Sequence, residues 1–218
     1  MNGDTPSEYA SPACALHEVD PAYSGLPLDV PAWRRRERER LLALRTALPL
    51  AERTALTARI VAGLETIAAG LGTDGAPIVS AYWPFRGEPD LRPWLLAMIA
   101  RGFRAALPVV VAKKAPLAFR LWTPETPLAR GVWDIPIPAE GEYVEPAIVV
   151  APLVGFDAGG YRLGYGGGFY DRTLAALTGP RLAIGVGYSM CELATIHPQP
   201  YDVPMDVIVT ERGIRARR

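Results

Sequence analysis

The sequence predicts an α/β protein, a three-layer α/β/α arrangement built on a mostly parallel sheet. Three observations carry this. Short apolar runs bounded by Gly and Pro alternate with helical patterns of about ten residues, the signature of βαβ units. The run from Ile148 to Val154 is continuously apolar, as in a central strand covered on both faces. A chain of 218 residues that is 50% hydrophobic and 21% charged suits one core better than two.

The elements follow in order. Residues 1–32 hold Pro6, Pro12, Pro21, Pro27 and Pro31 among Ser, Gly and Asp with no sustained period, and read as a partly ordered extension. From Trp33, apolar residues recur at helical steps through Leu41, Leu44 and Leu48 until Pro49 closes the segment. Leu56, Ile60, Leu64, Ile67 and Leu71 mark a second helix ending near Gly70 and Gly72. Pro77–Trp83 is a buried strand, and Asp90 caps a helix carrying Leu91, Leu95 and Ile99. Phe103–Val111 is a strand interrupted by Pro108, and Ala118–Trp122 has the mixed polarity of an edge strand. After the central strand come a helix over Phe169–Leu177 and strands over Leu182–Tyr188 and Val207–Thr210. Residues 213–218 read as a basic tail.

Composition excludes several classes of function. No apolar run approaches the roughly 18 residues of a membrane span. The first 30 residues carry acids and no Lys or Arg, unlike a secretory signal. Cys14 and Cys191 are too few for a disulfide framework, so a reducing cytoplasm is expected. Lys+Arg of 23 against Asp+Glu of 23 argues against binding nucleic acid or membranes through bulk charge. Within that balance, Arg34, Arg35, Arg36, Arg38, Arg40 and Arg45 cluster in the first helix, and interleaved Glu37 and Glu39 make the cluster the solvated face of that helix. An RNA-binding face there is the weakest of the readings. His17 and His197 are too far apart for a metal pair, and no His near Cys191 recommends it as a nucleophile.

The strongest local signal is Arg162-Leu163-Gly164-Tyr165-Gly166-Gly167-Gly168-Phe169-Tyr170-Asp171-Arg172, between the central strand and a helix. Four glycines in five positions let a ligand approach the backbone and permit positive φ. Their amides and the following helix start suit phosphate oxygens. Asp171 lies at the same end, where a carboxylate suits Mg²⁺ bridging phosphates, and Arg162 and Arg172 flank the loop as candidate charge neutralisers. The plainer reading is a tight glycine turn between solvated arginines. The loop is not a dinucleotide fingerprint, because it comes late and lacks the acidic partner, and no Gly-Lys-Ser/Thr makes it a P-loop. A second cluster, Tyr82-Trp83-Pro84-Phe85-Arg86-Gly87-Glu88-Pro89-Asp90, follows a strand at its carboxyl end, where open α/β sheets bind ligands. It suits a slot for a flat heterocycle, or else aromatics plugging the core. Trp133 adds an aromatic in a proline-stiffened loop.

Together these pieces resemble the 5-formyltetrahydrofolate cyclo-ligase family. The resemblance rests on the 162–172 block preceded by Pro152-Leu153-Val154-Gly155-Phe156-Asp157, and on Tyr82-x-Pro84 through Glu88. Trp133-x-Ile135-x-x-Pro138, Asp202-Val203-Pro204-Met205-Asp206 and Val209-Thr210-Glu211 complete it. It spans roughly residues 33–212, which makes that stretch one cyclo-ligase-like domain. The resemblance implies ATP- and Mg²⁺-dependent closure of 5-formyltetrahydrofolate to 5,10-methenyltetrahydrofolate with release of ADP and phosphate. It implies ATP on Gly164, Tyr165, Gly166, Gly167, Gly168, Phe169, Tyr170, Asp171 and Arg172, with Mg²⁺ on Asp171. It implies folate against Trp83, Glu88, Trp133 and Tyr170, and Arg162, Asp171 and Tyr170 as the catalytic set, in a monomer or homodimer. The family has a lysine near the start of its first helix that reaches the nucleotide; here Trp33-Arg34-Arg35-Arg36 stands there, so Arg34, Arg35 and Arg36 become the candidates. A silent homologue that binds folate or nucleotide without turnover is the alternative.

Overall fold

The computed structural model describes residues 28–179 and 181–216. The expectations for Cys14, His17 and the proline-rich stretch through Pro27 lie outside the described residues, as do Arg217 and Arg218. Two helices open the fold, α1 (Val30–Ala47) and α2 (Leu50–Ala69). The first starts three residues before Trp33, because Asp29 Oδ1 accepts the Ala32 amide at 3.0 Å and Pro31 fits a first turn whose N–H groups have no helical partner. Next come β1 (Ile78–Ser80), α3 (Arg92–Ala100), β2 (Arg104–Val109) and β3 (Ala118–Leu121). They are followed by β4 (Leu128–Arg130), β5 (Pro136–Pro138), β6 (Tyr143–Val144) and β7 (Ile148–Pro152). A hairpin of β8 (Gly155–Phe156) and β9 (Arg162–Leu163) leads to α4 (Phe169–Ala176), and β10 (Leu182–Val186), β11 (Val207–Thr210) and β12 (Gly213–Ala216) complete the chain.

Eight strands form the main sheet in the order β12-β11-β10-β7-β1-β2-β3-β6. The inner five, β11 through β2, run parallel, and the strands outside them pair antiparallel. Two expectations are corrected here. β3 is not the edge, because Phe119 and Arg120 pair with Val144 and Tyr143 of β6. Residues 213–216 are not tail but β12, in register with all four residues of β11. Exposed Ile214 and Arg215 alternating beside Gly213 had concealed a strand whose outer edge faces solvent.

The core explains why β7 reads as unbroken apolar sequence. Ile148 and Val150 pack with Ile60 and Leu64 of α2 and Leu95 and Met98 of α3, whereas Val149 and Ala151 pack on the opposite side with Leu174 of α4. Period-2 alternation therefore meets a helical layer on either face, giving the three layers. α1 does something different: Leu41 packs with Val154, Leu163, Cys191 and Ile196, which places the helix over the loops beyond the carboxyl ends of the strands.

Candidate active site

Among the five parallel strands, β1 is followed in sequence by its neighbour β2 on one side, and the chain then returns to β7 on the other. The loops leaving β1 and β7 diverge, opening a crevice at their carboxyl ends, the usual ligand position in such sheets. A cleft lies there, about 940 Å³ counted out to its open mouth, within the range of small-molecule sites. Tyr82, Trp83, Phe85 and Glu88 line it from the β1 side, and the segment through Gly164 and Gly168 lines it from the β7 side.

The β8–β9 hairpin delivers the glycine segment. Phe156 pairs with Arg162, and the chain then turns through Gly164–Gly168 into α4. Gly166 (φ +95°) and Gly168 (φ +62°, the residue capping α4) take left-handed backbone that glycine adopts without steric cost. A methyl group built on Gly164 would meet no atom within 4 Å, so the backbone there faces open space. Arg38 of α1 fixes the segment from behind: its Nε donates to Gly164 O at 2.8 Å, and a methyl on Gly166 would lie 3.4 Å from its Cζ. Arg172 holds the far end, donating to Gly167 O at 2.5 Å and to Ala115 O at 3.3 Å.

Glu88 is the buried charge of the cleft. Its Oε2 accepts the Phe85 amide at 2.9 Å and its Oε1 accepts the Tyr165 hydroxyl at 2.7 Å. Burial pushes its carboxyl up to about 7, against the opposing pull of Arg45, Tyr165 and the Phe85 amide. Arg45, 1% exposed, donates to Arg86 O at 3.0 Å, to Leu153 O at 2.9 Å and to the Tyr165 hydroxyl at 2.6 Å, with Glu88 Oε1 at 3.8 Å. One guanidinium therefore ties together the loop after β1, the end of β7 and the glycine segment. The same burial raises the Tyr165 and Tyr170 phenols, so both stay protonated.

An aromatic wall faces this network. The Phe85 and Trp133 rings are parallel within 6° at 6.1 Å, and each lies 5.9 Å from the Tyr165 ring. Trp133 sits at the tip of the β4–β5 hairpin with φ +58°, followed by Asp134 also at +58°. Left-handed backbone at two successive non-glycine residues costs on the order of 1–3 kcal/mol each and concentrates at functional sites. Trp133 is nonetheless 54% exposed, so packing alone does not account for the strain.

Asp171 and Arg162 lie deeper. Asp171 Oδ1 accepts from Arg162 at 2.9 Å and from the Val203 amide at 3.2 Å, and the Arg162 guanidinium sits 5.6 Å from the centre of the Tyr170 ring. Among the described residues no three His, Cys, Asp or Glu side chains gather into a metal cluster. The other oxygen of Asp171 has no protein donor among the described residues. One carboxylate beside an open glycine backbone would suit Mg²⁺, since that ion keeps waters and needs few protein ligands.

The cleft brings together Trp83, Glu88, Trp133, Arg162, Gly164, Tyr165, Gly167, Gly168, Phe169, Tyr170 and Asp171, with Gly166 between them in the loop. It does not bring in Arg34, Arg35 and Arg36 as expected. Arg34 is buried, donating to Ile196 O and His197 O at 3.0 Å and paired with Asp202, so it is consumed in holding α1 to the loop before β11. Arg35 and Arg36 are exposed. The view of this cluster as a solvated face is also corrected. Arg34, Arg38, Leu41 and Arg45 share the inward stripe, and Arg38 and Arg45 are the site residues that sequence reasoning missed. Their four-, three- and four-residue spacing was the available signal. Cys191 is buried and its thiol pushed up, which leaves little thiolate for nucleophilic attack.

A family model described as the 5-formyltetrahydrofolate cyclo-ligase family matches residues 30–211. The chain is 30% identical over 139 residues to a protein of Haemophilus influenzae named 5-formyltetrahydrofolate cyclo-ligase, covering 60% of this chain and 74% of that one. It is 34% identical over 143 residues to a protein of the same name from Escherichia coli, covering 62% and 78%. The NMR structure of Aquifex aeolicus 5,10-methenyltetrahydrofolate synthetase superposes with a TM-score of 0.72 at 31% identity, covering 85% of this chain and 93% of that one. A 5,10-methenyltetrahydrofolate synthetase from Mycoplasma pneumoniae superposes with a TM-score of 0.65 at 25% identity, covering 84% and 99%.

Proposed function

The chain belongs to the 5-formyltetrahydrofolate cyclo-ligase family, and from that premise we propose that it converts 5-formyltetrahydrofolate and Mg-ATP to 5,10-methenyltetrahydrofolate, ADP and phosphate. The observation that carries this reading is the junction of two unlike surfaces in one cleft. An exposed glycine segment with open backbone at Gly164 adjoins an aromatic slot whose buried carboxylate is Glu88.

The chemistry needs that junction. A formamide oxygen is a poor leaving group, because amide resonance deactivates its carbonyl. When that oxygen attacks the γ-phosphorus, ADP departs and an iminium phosphate forms. The N10 lone pair then adds to the formyl carbon, the C–O bond breaks with its electrons going to phosphate, and N10 loses its proton to the departing phosphate or solvent. No protein nucleophile is required; the protein positions the reactants and neutralises charge. Gly164–Gly168 amides hold the phosphates, and Asp171, whose second oxygen has no donor among the described residues, would hold Mg²⁺ carried by the nucleotide, which would neutralise phosphate charge. Arg38, bonded to Gly164 O behind the segment, contributes from α1 by holding that backbone in shape, in place of the direct contact first expected of Arg34, Arg35 or Arg36. Arg162 orients Asp171 through its 2.9 Å hydrogen bond, and Tyr170 walls the cleft. Ionised Glu88 accepts N–H donors of the pterin ring, with Trp83 and Trp133 on its faces.

The test is direct. Protein, Mg-ATP and 5-formyltetrahydrofolate are mixed and the near-ultraviolet band of the methenyl product is followed. An ATP-dependent rise is expected. Tight binding of both ligands with no rise would replace this reading with that of a silent binding protein.

A further inference from the structure

The glycine segment and the aromatic slot are not independent in this fold. Between Gly164 and Gly168 one residue, Tyr165, carries a side chain. It leaves the segment and crosses into the slot. Its ring packs with Phe85 and Trp133, its hydroxyl accepts from Arg45 at 2.6 Å, and that hydroxyl donates to Glu88 Oε1 at 2.7 Å. Gly164 and Gly166 flank it, so little steric cost resists a pivot of Tyr165 relative to the chain on either side. Both oxygens of Glu88 are already engaged, Oε2 by the Phe85 amide and Oε1 by Tyr165. A ligand that presents an N–H donor to Oε1 must share it with the Tyr165 hydroxyl or displace it. Displacement moves the phenol, and the backbone between Gly164 and Gly166 moves with it.

We propose that Tyr165 is a positioning residue that couples the two halves of the cleft, so that a ligand engaging Glu88 reshapes the glycine segment and the two substrates bind cooperatively. The inference rests on the functional reading above and deepens it. The two-state element is the Tyr165–Glu88 hydrogen bond, made in the structure described and shared or broken when the slot is filled. Arg38 supplies the fixed point: by gripping Gly164 O at 2.8 Å it turns movement of Tyr165 into a change of segment shape instead of a rigid shift. Glu88 is also faced by Arg45 from α1, by Tyr82 from the end of β1 and by Tyr170 from α4, and each phenol is raised by burial and by the Glu88 charge. The Tyr82 hydroxyl is buried with no hydrogen-bond partner among the described residues. Tyr165 is therefore the hydroxyl that restrains the carboxylate in place.

The experiment is calorimetric titration of the full chain with 5-formyltetrahydrofolate and with the Mg complex of β,γ-imido-ATP. Each ligand is titrated alone and with the other saturating, in the wild type and in Tyr165→Phe. The wild type is expected to bind each ligand about 5- to 20-fold more tightly when the other is present, a coupling of ordinary size. Tyr165→Phe is expected to weaken binding of each ligand alone, and the deciding readout is the coupling, which is expected to collapse to about 1. Its pH profile for folate binding is expected to move to higher pH, because a hydrogen bond that favours the ionised Glu88 is gone. Glu88→Gln is run beside it as a second way to alter the same bond should the phenylalanine variant not fold, and it too is expected to lose the coupling. A uniform loss of affinity in Tyr165→Phe with the coupling unchanged would mean a purely structural tyrosine and overturn the proposal. A wild type that binds both ligands without coupling would overturn it and leave the functional reading intact. A wild type that binds neither ligand would overturn both.

Discussion

Replacing Arg45 with methionine keeps the length and apolar stem of the side chain and deletes a guanidinium that is 1% exposed. Three acceptors lose their donor, namely Arg86 O, Leu153 O and the Tyr165 hydroxyl, and Glu88 loses a cation 3.8 Å from its Oε1. Breaking a buried pair from one side costs about 3–5 kcal/mol, because the remaining charge stays desolvated. For a domain of this size each kcal/mol moves the unfolding midpoint by about 2–4 °C, so a fall of about 6–20 °C is expected. The loss has a pH signature. In the wild type Glu88 titrates at about 7 when folded against 4.5 in the reference state, so its contribution to stability is full below 4.5 and is lost as pH rises through 7. Without Arg45 the folded value climbs further while the unfolded value does not change. Of the variant's loss, roughly 1.4 kcal/mol for each unit of that climb therefore appears only above pH 7 and is absent at pH 5, where the carboxyl is neutral in both proteins. Urea unfolding followed by circular dichroism at pH 5 and pH 8.5 measures both parts. Adding Glu88→Gln should recover part of the pH 8.5 loss. A variant within about 1 kcal/mol of wild type at both pH values, or one equally destabilised at both, would refute the account of Arg45 as the counter-charge to Glu88.

Other outcomes follow from the same geometry. Trp133→Gly relieves left-handed strain at φ +58°, so it should leave the unfolding midpoint level or raised while folate KM rises roughly tenfold, about 1.4 kcal/mol of lost aromatic contact. Arg38→Ala should raise ATP KM by about 10-fold or more with little change in folate affinity, consistent with loss of a charged hydrogen bond, whereas Arg35→Ala and Arg36→Ala should be indistinguishable from wild type in the same steady-state assay. Folate affinity should weaken about tenfold for each pH unit below 7, where Glu88 becomes protonated, and Glu88→Gln should flatten that limb in fluorescence titrations. Asp171→Asn should remove most turnover with the circular dichroism spectrum unchanged; wild-type turnover would take Asp171 out of the phosphate site.

Much of the fold was legible because burial writes itself into sequence. The apolar run over β7 announces a strand covered on two faces, and Ile60 and Leu64 announce the inward side of α2. Two-residue strands such as β6 and β8 leave no period to read, and β12 has no buried face at all. The glycine segment was legible because its backbone needs are met by few residue types: Gly166 and Gly168 occupy conformations that other residues adopt at a cost. Arg38 and Arg45 were not. An arginine-rich helix defaults to a solvated face, since burying a cation is costly unless acceptors wait for it, and those acceptors come from residues 86, 153, 164 and 165, far away in sequence. Leu44, expected inward, is 43% exposed, whereas Arg45 beside it is buried. Tertiary partners, not hydropathy, chose the inward stripe of α1.

The most direct measurement uses 5-formyltetrahydrofolate labelled with ¹⁸O in its formyl group. If Gly164–Gly168 presents the γ-phosphoryl group to that oxygen, the label leaves the folate with the phosphoryl group, and ³¹P NMR of the products finds one ¹⁸O per inorganic phosphate and none in ADP. Methenyl product formed alongside unlabelled phosphate would mean that the formyl oxygen never reached phosphorus, and the account of this cleft would fail.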